Sequence, residues 1–478
     1  MPVSEWDRTA GWRRDLIDRE RELAFLLDRV ASGRPELIIM WGRRRLGKTT
    51  LLRALHGRSR AIYFLATRAP ASEQLRRLTA VFAESFDDPL LRSTVFPSWE
   101  DGLLYLHRHV RERIVLIVDE FPYLVEADPA IASRFQLAWD QSLGTNSAVM
   151  LVLNGSSVSM MEEQALDSRS PLYGRRTGQW RLEPFELQDL SRFFPRRTMA
   201  DLVELHSVAG GVPYYLLQLD TEVSLEQNIK RRILSKGEVL FQEVPFLLRE
   251  ELREPRSYFP ILAAIASGSR KFGEISSKTG FDKSNLGKYL GTLQELQLVR
   301  REVPVTEVNP AKSRRGLYVI DDPFTGFWLR YVWPYLAELE MEQVDEVWET
   351  RIAPDFTAYV AAHAERVLTT LLFREPVRGR LGFAPSHVGR HWDARAELDI
   401  VALDGSRRKA ALCEVKWSAR PVGADIATDL RARGESVPEL AACEKAYVIF
   451  SRSGFTPALT GSAPPDLVLV DLREPPPA

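Results

Sequence analysis

One stretch constrains this chain more than any other. Leu37-Ile38-Ile39-Met40-Trp41 is a short apolar run. It leads into Gly42-Arg43-Arg44-Arg45-Leu46-Gly47-Lys48-Thr49, which fits G-x-x-x-x-G-K-[ST] without a mismatch. Thr49 to Leu55 then reads as a helix. A strand, a glycine-bearing loop and a helix in that order is the context the motif requires. Gly42 and Gly47 allow the backbone to wrap an anion, and the loop N–H groups and helix N-terminus lend it partial positive charge. Lys48 is predicted to reach the β- and γ-phosphates of a nucleotide and the Thr49 hydroxyl to ligate Mg²⁺. Arg43, Arg44, Arg45, Leu46 and Thr50 complete the loop. The expected cofactors are ATP and Mg²⁺.

Three further apolar runs surround it: Ala61–Leu65, Ile114–Val118 and Val149–Leu153. Helical patterns over Ser72–Phe86 and Ser98–Arg113 separate them, and Gln179–Leu182 reads as a fifth strand. Apolar strands alternating with helices predict a parallel sheet covered on both faces. Ile114–Val118 runs into Asp119-Glu120, so an acidic pair stands at the C-terminal end of a buried strand, where such sheets bind ligands. Asp119 is the expected Mg²⁺-shell ligand and Glu120 the group that polarises an attacking water. Val149–Leu153 ends in Asn154-Gly155-Ser156-Ser157. Asn154 and Ser156 are candidates to sense phosphate or position water; the alternative is a plain turn or helix cap.

The 478 residues carry 64 Lys+Arg against 65 Asp+Glu, a formal net charge of −1, which excludes a uniformly basic nucleic-acid coat but not a local basic patch. Two cysteines, Cys413 and Cys443, make no disulfide framework and lack zinc-site spacing, so a reducing cytosol is expected. No apolar run approaches the ~20 residues of a membrane-spanning helix, and Met1 to Arg14 has no signal-peptide core.

The chain resembles a family at several places. Leu16-Ile17-Asp18-Arg19-Glu20-Arg21-Glu22-Leu23 looks like the F-x-x-R-E-x-E-L box that opens AAA+-like ATPases of the STAND group, with Leu16 departing from the usual aromatic. The loop G-R-R-R-L-G-K-T-T-L-L, Asp119-Glu120-Phe121-Pro122-Tyr123-Leu124, Pro171 to Gly178 and Gly210-Gly211-Val212-Pro213 complete a likeness to archaeal-type ATPases of archaea and many bacteria. Their C-terminal domain is similar to PD-(D/E)xK nucleases. The resemblance implies adenine-side contacts near Asp18 and Arg19. It implies an arginine finger at Arg175 or Arg176, reaching a neighbour's nucleotide in a homo-oligomer, against the alternative of a solvated basic turn. It implies a lid motif whose Pro213 abuts the nucleotide, against a simple turn between helices.

Ser257 to Ile320 reads helix, helix, Gly280, helix (Lys283–Gln294), then strands Val299–Val305 and Gly316–Ile320. Ten lysines and arginines face five acids there, a local charge of +5. Leu286, Leu290, Leu293 and Leu296 form a buried stripe on the third helix and leave Lys283, Asn285 and Lys288 outside, as in a DNA recognition helix N-capped by Asp282. Lys312, Arg314 and Arg315 lie between the strands on a wing tip suited to phosphate. The alternative is a winged helix used only for docking a protein partner.

In the last stretch Asp399 lies in strand Leu398–Leu403 and Glu414-Val415-Lys416 in strand Ala410–Lys416. Alternation puts Glu414 and Lys416 on one face, and hairpin pairing brings Asp399 beside them. With Glu365 from a preceding helix, Phe356–Phe373, these acids are candidate Mg²⁺ ligands and Lys416 a candidate water-orienting group for phosphodiester hydrolysis. The alternative is an ordinary cross-strand ion pair in a binding domain. The expected architecture is thus α/β. A P-loop parallel-sheet core (1–186) precedes a helical lid (187–254), a winged helix-turn-helix (255–322), a helical linker (323–350) and a small α/β PD-(D/E)xK-like domain (351–478). The expected function is an ATPase acting with DNA; the alternative is a nucleotide-dependent signalling switch.

Overall fold

The computed structural model describes residues 17–145, 147–252 and 254–476. Leu16 of the opening box, the Met1–Arg14 segment and Pro477 lie outside them. The chain divides into two compact units between Pro184 and Phe185.

The first unit holds one five-stranded sheet. Its strands are β1 (Glu36–Trp41), β2 (Ala61–Leu65), β3 (Ile114–Asp119), β4 (Val149–Gly155) and β5 (Gly178–Arg181), in the order β2-β3-β4-β1-β5. Every pairing is parallel. Every residue of β1, β3 and β4 is buried, as central strands covered by helices on both faces must be. Phe64, Phe82, Trp99 and Phe135 pack into this core, each burial contributing about 1.5–3 kcal/mol. The order has one consequence for chemistry. β4 lies between the strand that feeds the loop and the strand that carries Asp119, so the tips of three neighbouring strands converge.

The second unit begins, in the segment expected as a helical lid, with a series of short helices rather than a few long ones. Leu187–Arg192, Met199–Ala209, Pro213–Leu216, Leu225–Asn228, Ile229–Leu234 and Glu243–Glu251 follow one another. Gly210, at φ +63°, ends the second, and Pro213 starts the third. At Gly211 an added Cβ would lie 1.9 Å from the Phe185 carbonyl oxygen. The Phe185 N–H donates to the Gly211 carbonyl at 2.8 Å, so the two backbones are held at that approach.

Helices Pro255–Ala266, Phe272–Thr279 and Lys283–Glu295 come next, followed by the antiparallel pair β6 (Val299–Glu302) and β7 (Leu317–Ile320). β6 stops three residues before the expected Val305. Pro304 has no N–H to continue a ladder, and the Val305 N–H instead donates to Arg390 O at 2.9 Å. Trp328, in helix Pro323–Tyr331, is fully buried and donates its indole N–H to Phe241 O at 2.8 Å.

A second sheet closes the chain: β8 (His387–Trp392), β9 (Glu397–Leu403), β10 (Lys409–Lys416), β11 (Glu444–Ser451) and β12 (Leu467–Asp471), ordered β12-β11-β10-β9-β8. β8 to β10 pair antiparallel and β10 to β12 parallel. β8 has no sequence signature. His387-Val388-Gly389-Arg390-His391-Trp392 neither alternates nor forms an apolar run, because only its β9 edge is paired within this sheet. The helix expected over Phe356–Phe373 runs from Ala353 to Val367 and tightens to a 3₁₀ turn over Leu368–Phe373.

Helices Met199–Ala209 and Ala353–Val367 meet through two histidines, with His206 Nδ1 and His363 Nε2 2.9 Å apart. Burial depresses both, His206 to about 4 although nearby Asp322 partly opposes this. His363 falls well below its ordinary range, with His206 and Arg366 adding to the effect of burial. The unfolded chain therefore binds protons first as pH falls. This contribution to stability is complete above the ordinary histidine value of ~6.5 and is lost on acidification toward about 4. Urea melts between pH 7.5 and 4.5 should show that loss, and His206→Gln should flatten it. Gly211→Ala should destabilise by about 3 kcal/mol, whereas Gly287→Ala, with open space at its Cβ, should cost nothing. Thermal melts check both.

Candidate functional site

The phosphate loop is shaped by backbone sterics. An added Cβ at Gly42 would meet Leu182 O at 2.5 Å, and the Leu182 N–H already donates to Trp41 O at 2.8 Å, so only glycine fits. Arg45, at φ +71°, and Gly47, at φ +83°, turn the loop through left-handed conformations into helix Lys48–His56, which Gly47 caps. Lys48 is buried, and its ammonium donates to Gly42 O and Arg43 O at 2.7 Å each, so the loop curls round its own cation. Thr49 and Thr50 are exposed on the first helical turn. Leu46 is fully buried and anchors the loop's underside.

Arg19 takes a role that spacing did not indicate. Its guanidinium donates to Leu46 O at 3.2 Å and Glu183 O at 2.8 Å, and Glu22 Oε1, 2.9 Å away, balances its charge. It braces the loop against the end of the sheet. Arg44 donates to the Tyr123 hydroxyl at 3.0 Å.

Asp119 ends β3 with no exposed surface. Asn154 Nδ2 donates to its Oδ1 at 2.5 Å and the Glu120 N–H at 2.9 Å; Thr49 Oγ1 donates to Oδ2 at 3.0 Å, and the Tyr63 hydroxyl donates to that same oxygen. Glu120 occupies the left-handed region at φ +57°, rare for a side chain of its kind and common where function requires it. Its carboxylate accepts from Ser156 Oγ at 2.6 Å and from the Ser156 N–H at 3.3 Å. The two polar residues at the end of β4 thus divide the acidic pair between them: Asn154 serves Asp119 and Ser156 serves Glu120. The donor chemistry fits a hard cation. Thr49 spends its proton on Asp119 and keeps its oxygen lone pairs, and a carboxylate oxygen stands beside them. Tyr63 was missed in the sequence because β2 reads as core. A tyrosine in a half-buried strand needs a partner for its hydroxyl, and that was the available signal.

Thr49, Asp119, Glu120, Asn154 and Ser156 therefore form one hydrogen-bonded constellation, with Lys48 next to Thr49 at the start of the same helix. Other expected residues are committed elsewhere. Arg175 makes a bidentate pair with Asp140, at 2.8 and 2.7 Å, and donates to Pro171 O at 2.9 Å. Arg176 lies 4.8 Å from the Tyr173 ring centroid. Pro213 opens its short helix in the second unit.

In the second unit, Asp282 caps helix Lys283–Glu295 as expected, accepting from Ser284 N at 2.9 Å and Asn285 N at 3.0 Å. The same carboxylate takes the Asn285 side-chain amide at 2.6 Å, so Asn285 belongs to the cap. Lys283, Lys288, Lys312 and Arg314 are exposed. Arg315 is half-buried against Glu307, at 2.7 Å, and Trp392 O.

Glu414 and Lys416 share a face of β10, Nζ to Oε1 2.5 Å, and Asp399 accepts from the Val415 N–H at 2.9 Å. Arg433 contacts the other Glu414 oxygen at 2.5 Å, and Glu365 pairs with Arg390 at 3.4 Å. Burial and the Glu414 charge push Asp399 up to about 6; burial and the Asp399 charge push Glu365 up to about 7. Among the described residues no group of three or more His, Cys, Asp or Glu side chains is gathered as a metal site. Nor is any described helix long and apolar enough to cross a membrane.

Comparison with known proteins agrees with the first unit's geometry. A model of an ATPase domain predominantly from Archaea matches residues 16–219. A model of archaeal and bacterial proteins of unknown function matches residues 328–426. The uncharacterized protein MJECL04 of Methanocaldococcus jannaschii is 36% identical over 404 residues, 84% of this chain and 87% of that one. Among solved structures, the Walker-type ATPase PABY2304 of Pyrococcus abyssi is 23% identical, with 66% of this chain and 97% of that chain covered and a TM-score of 0.49. The ORC2 protein of Aeropyrum pernix is 15% identical, with 71% and 96% covered and a TM-score of 0.42. The chain belongs to the family of MJECL04, and its first unit is an archaeal-type P-loop ATPase domain.

Proposed function

We propose that the first unit hydrolyses ATP through the constellation around Asp119 and Glu120, and that nucleotide state governs how the second unit engages duplex DNA. One observation carries the hydrolytic reading: a glycine-turned loop with a buried Lys48 leads into Thr49, which donates to Asp119, and that carboxylate and Glu120 are held by side chains from β2 and the end of β4. Loop N–H groups and Lys48 bind phosphate oxygens, Lys48 exchanging its carbonyl partners for stronger anionic ones. Thr49 and Asp119 hold Mg²⁺, which neutralises phosphate charge when bound. Glu120 accepts a proton from the attacking water once Ser156 yields that carboxylate, and Asn154 keeps Asp119 in place.

The three helices and the β6–β7 pair read as a winged helix-turn-helix, with Lys283 and Lys288 on the recognition helix and Lys312 and Arg314 on the wing. The net charge of +5 in this segment supports DNA over a neutral docking partner. Asn285 and Arg315 are left out of this interface because Asp282 and Glu307 occupy them. The second sheet reads as PD-(D/E)xK-like in its strand-borne Asp399, Glu414 and Lys416. Two cations already neutralise Glu414, which favours a docking role for this sheet over Mg²⁺-dependent cutting. Arg175 is paired with Asp140 on a partly exposed surface, and it acts as a finger on a neighbouring subunit's nucleotide by exchanging that carboxylate for phosphate.

Lys48→Ala should lower ATP turnover about 100-fold or more and weaken nucleotide binding. Glu120→Gln should lower turnover by about 10²–10⁴ while binding is retained. Steady-state phosphate release and equilibrium binding of a fluorescent ATP analogue test both; ordinary turnover in Glu120→Gln would remove Glu120 from its role. Lys288→Ala and Arg314→Ala should each reduce the salt dependence of duplex DNA binding by about one phosphate contact. Anisotropy titrations at several salt concentrations decide, and unchanged slopes in both variants would favour the signalling alternative.

A further inference from the structure

Asp119 lies on the middle of three adjacent strands, and each neighbour sends it a donor. Asn154, from β4, holds Oδ1. Tyr63, from β2, reaches Oδ2, the same oxygen that receives the Thr49 hydroxyl. The placement of Tyr63 follows from strand alternation. Ile62 and Phe64 are buried in the core on one face of β2, so Tyr63 projects from the other. There its ring meets the His56 ring edge-on, centroids 6.4 Å apart, beside helix Lys48–His56.

Held from both sides, the carboxylate cannot turn about its terminal bond without breaking a hydrogen bond. The Thr49, Tyr63 and Asp119 oxygens face one another as three hard donors with lone pairs to spare, and two of them belong to the expected cation shell. We propose that Tyr63 is a positioning residue for the divalent cation at Thr49 and Asp119, fixing the Asp119 carboxylate so that nucleotide and cation bind as one unit. This rests on the reading of the first unit as an ATP-hydrolysing site. It adds a residue that the loop motif and the acidic pair do not include.

Tyr63→Phe removes one oxygen and keeps the ring. A fluorescent ATP analogue titrated into the full chain, in EDTA and in saturating Mg²⁺, separates the outcomes. The wild type should bind more tightly in Mg²⁺. Tyr63→Phe should match the wild type in EDTA and lose about tenfold of the Mg²⁺-dependent gain, with a similar rise in the Mg²⁺ concentration for half-maximal turnover. Equal Mg²⁺-dependent gains in the two proteins would overturn the proposal. So would a loss of equal size in EDTA and Mg²⁺, which marks a packing role, and a thermal melt would show the cause. Wild-type protein that binds no nucleotide would instead bring down the hydrolytic reading, and the positioning role with it.

Discussion

Asp119 has no exposed surface, and a buried carboxylate is tolerated only when its oxygens are filled. Four donors fill them, one each from β2, β4, the phosphate-loop helix and the backbone of the next residue. That requirement ties the first unit together. It demands parallel strands whose C-terminal ends stand side by side, with β3 between β2 and β4. It places the first turn of helix Lys48–His56 where Thr49 can reach the same oxygen. A neutral residue at position 119 would remove the reason for several of these groups to converge.

The loop is held as firmly from below. Leu46 is buried, Gly42 passes under Leu182 at a distance that excludes a side chain, and Arg19 ties Leu46 O to Glu183 O. A loop whose N–H groups are already oriented has less conformational entropy to lose when it meets phosphate. Ser156 holds Glu120 by two hydrogen bonds, so the groups assigned to proton transfer and to cation binding are oriented separately by residues two positions apart on β4.

In the second unit, the segment between β6 and β7 is fastened to the edge strand β8 and the turn after β9. Val305 N–H donates to Arg390 O, Thr306 Oγ1 lies 2.8 Å from His391 Nδ1, and Arg407 donates to Thr306 O at 3.1 Å and Glu307 O at 3.2 Å. The basic segment carrying Lys312 and Arg314 is therefore anchored at its base to the second sheet. These contacts also cover the outer edge of β8, which would otherwise present unpaired backbone groups.

Local patterns were enough to read the core of this protein. The run Leu37–Trp41, its glycine-bounded loop and the following helix needed no distant partner to be recognised, and neither did Asp119-Glu120 or the Asp282 cap. Their chemistry follows from backbone sterics and from neighbours within a few residues. What the fold alone settled depends on residues far apart in the chain. Tyr63 meets Asp119 only because β2 and β3 pair. Arg19 becomes a brace only because Leu46 and Glu183 come to it. β8 becomes a strand only because β9 accepts it. Arg315 looks like a free charge in the sequence and is paired with Glu307 in the folded chain, and Glu414, which alternation already puts beside Lys416, gains a second partner in Arg433, far off in the sequence. A side chain's type is written at its own position, but its hydrogen-bond and charge partners are supplied by tertiary packing, and those partners decide whether it binds, braces or reacts.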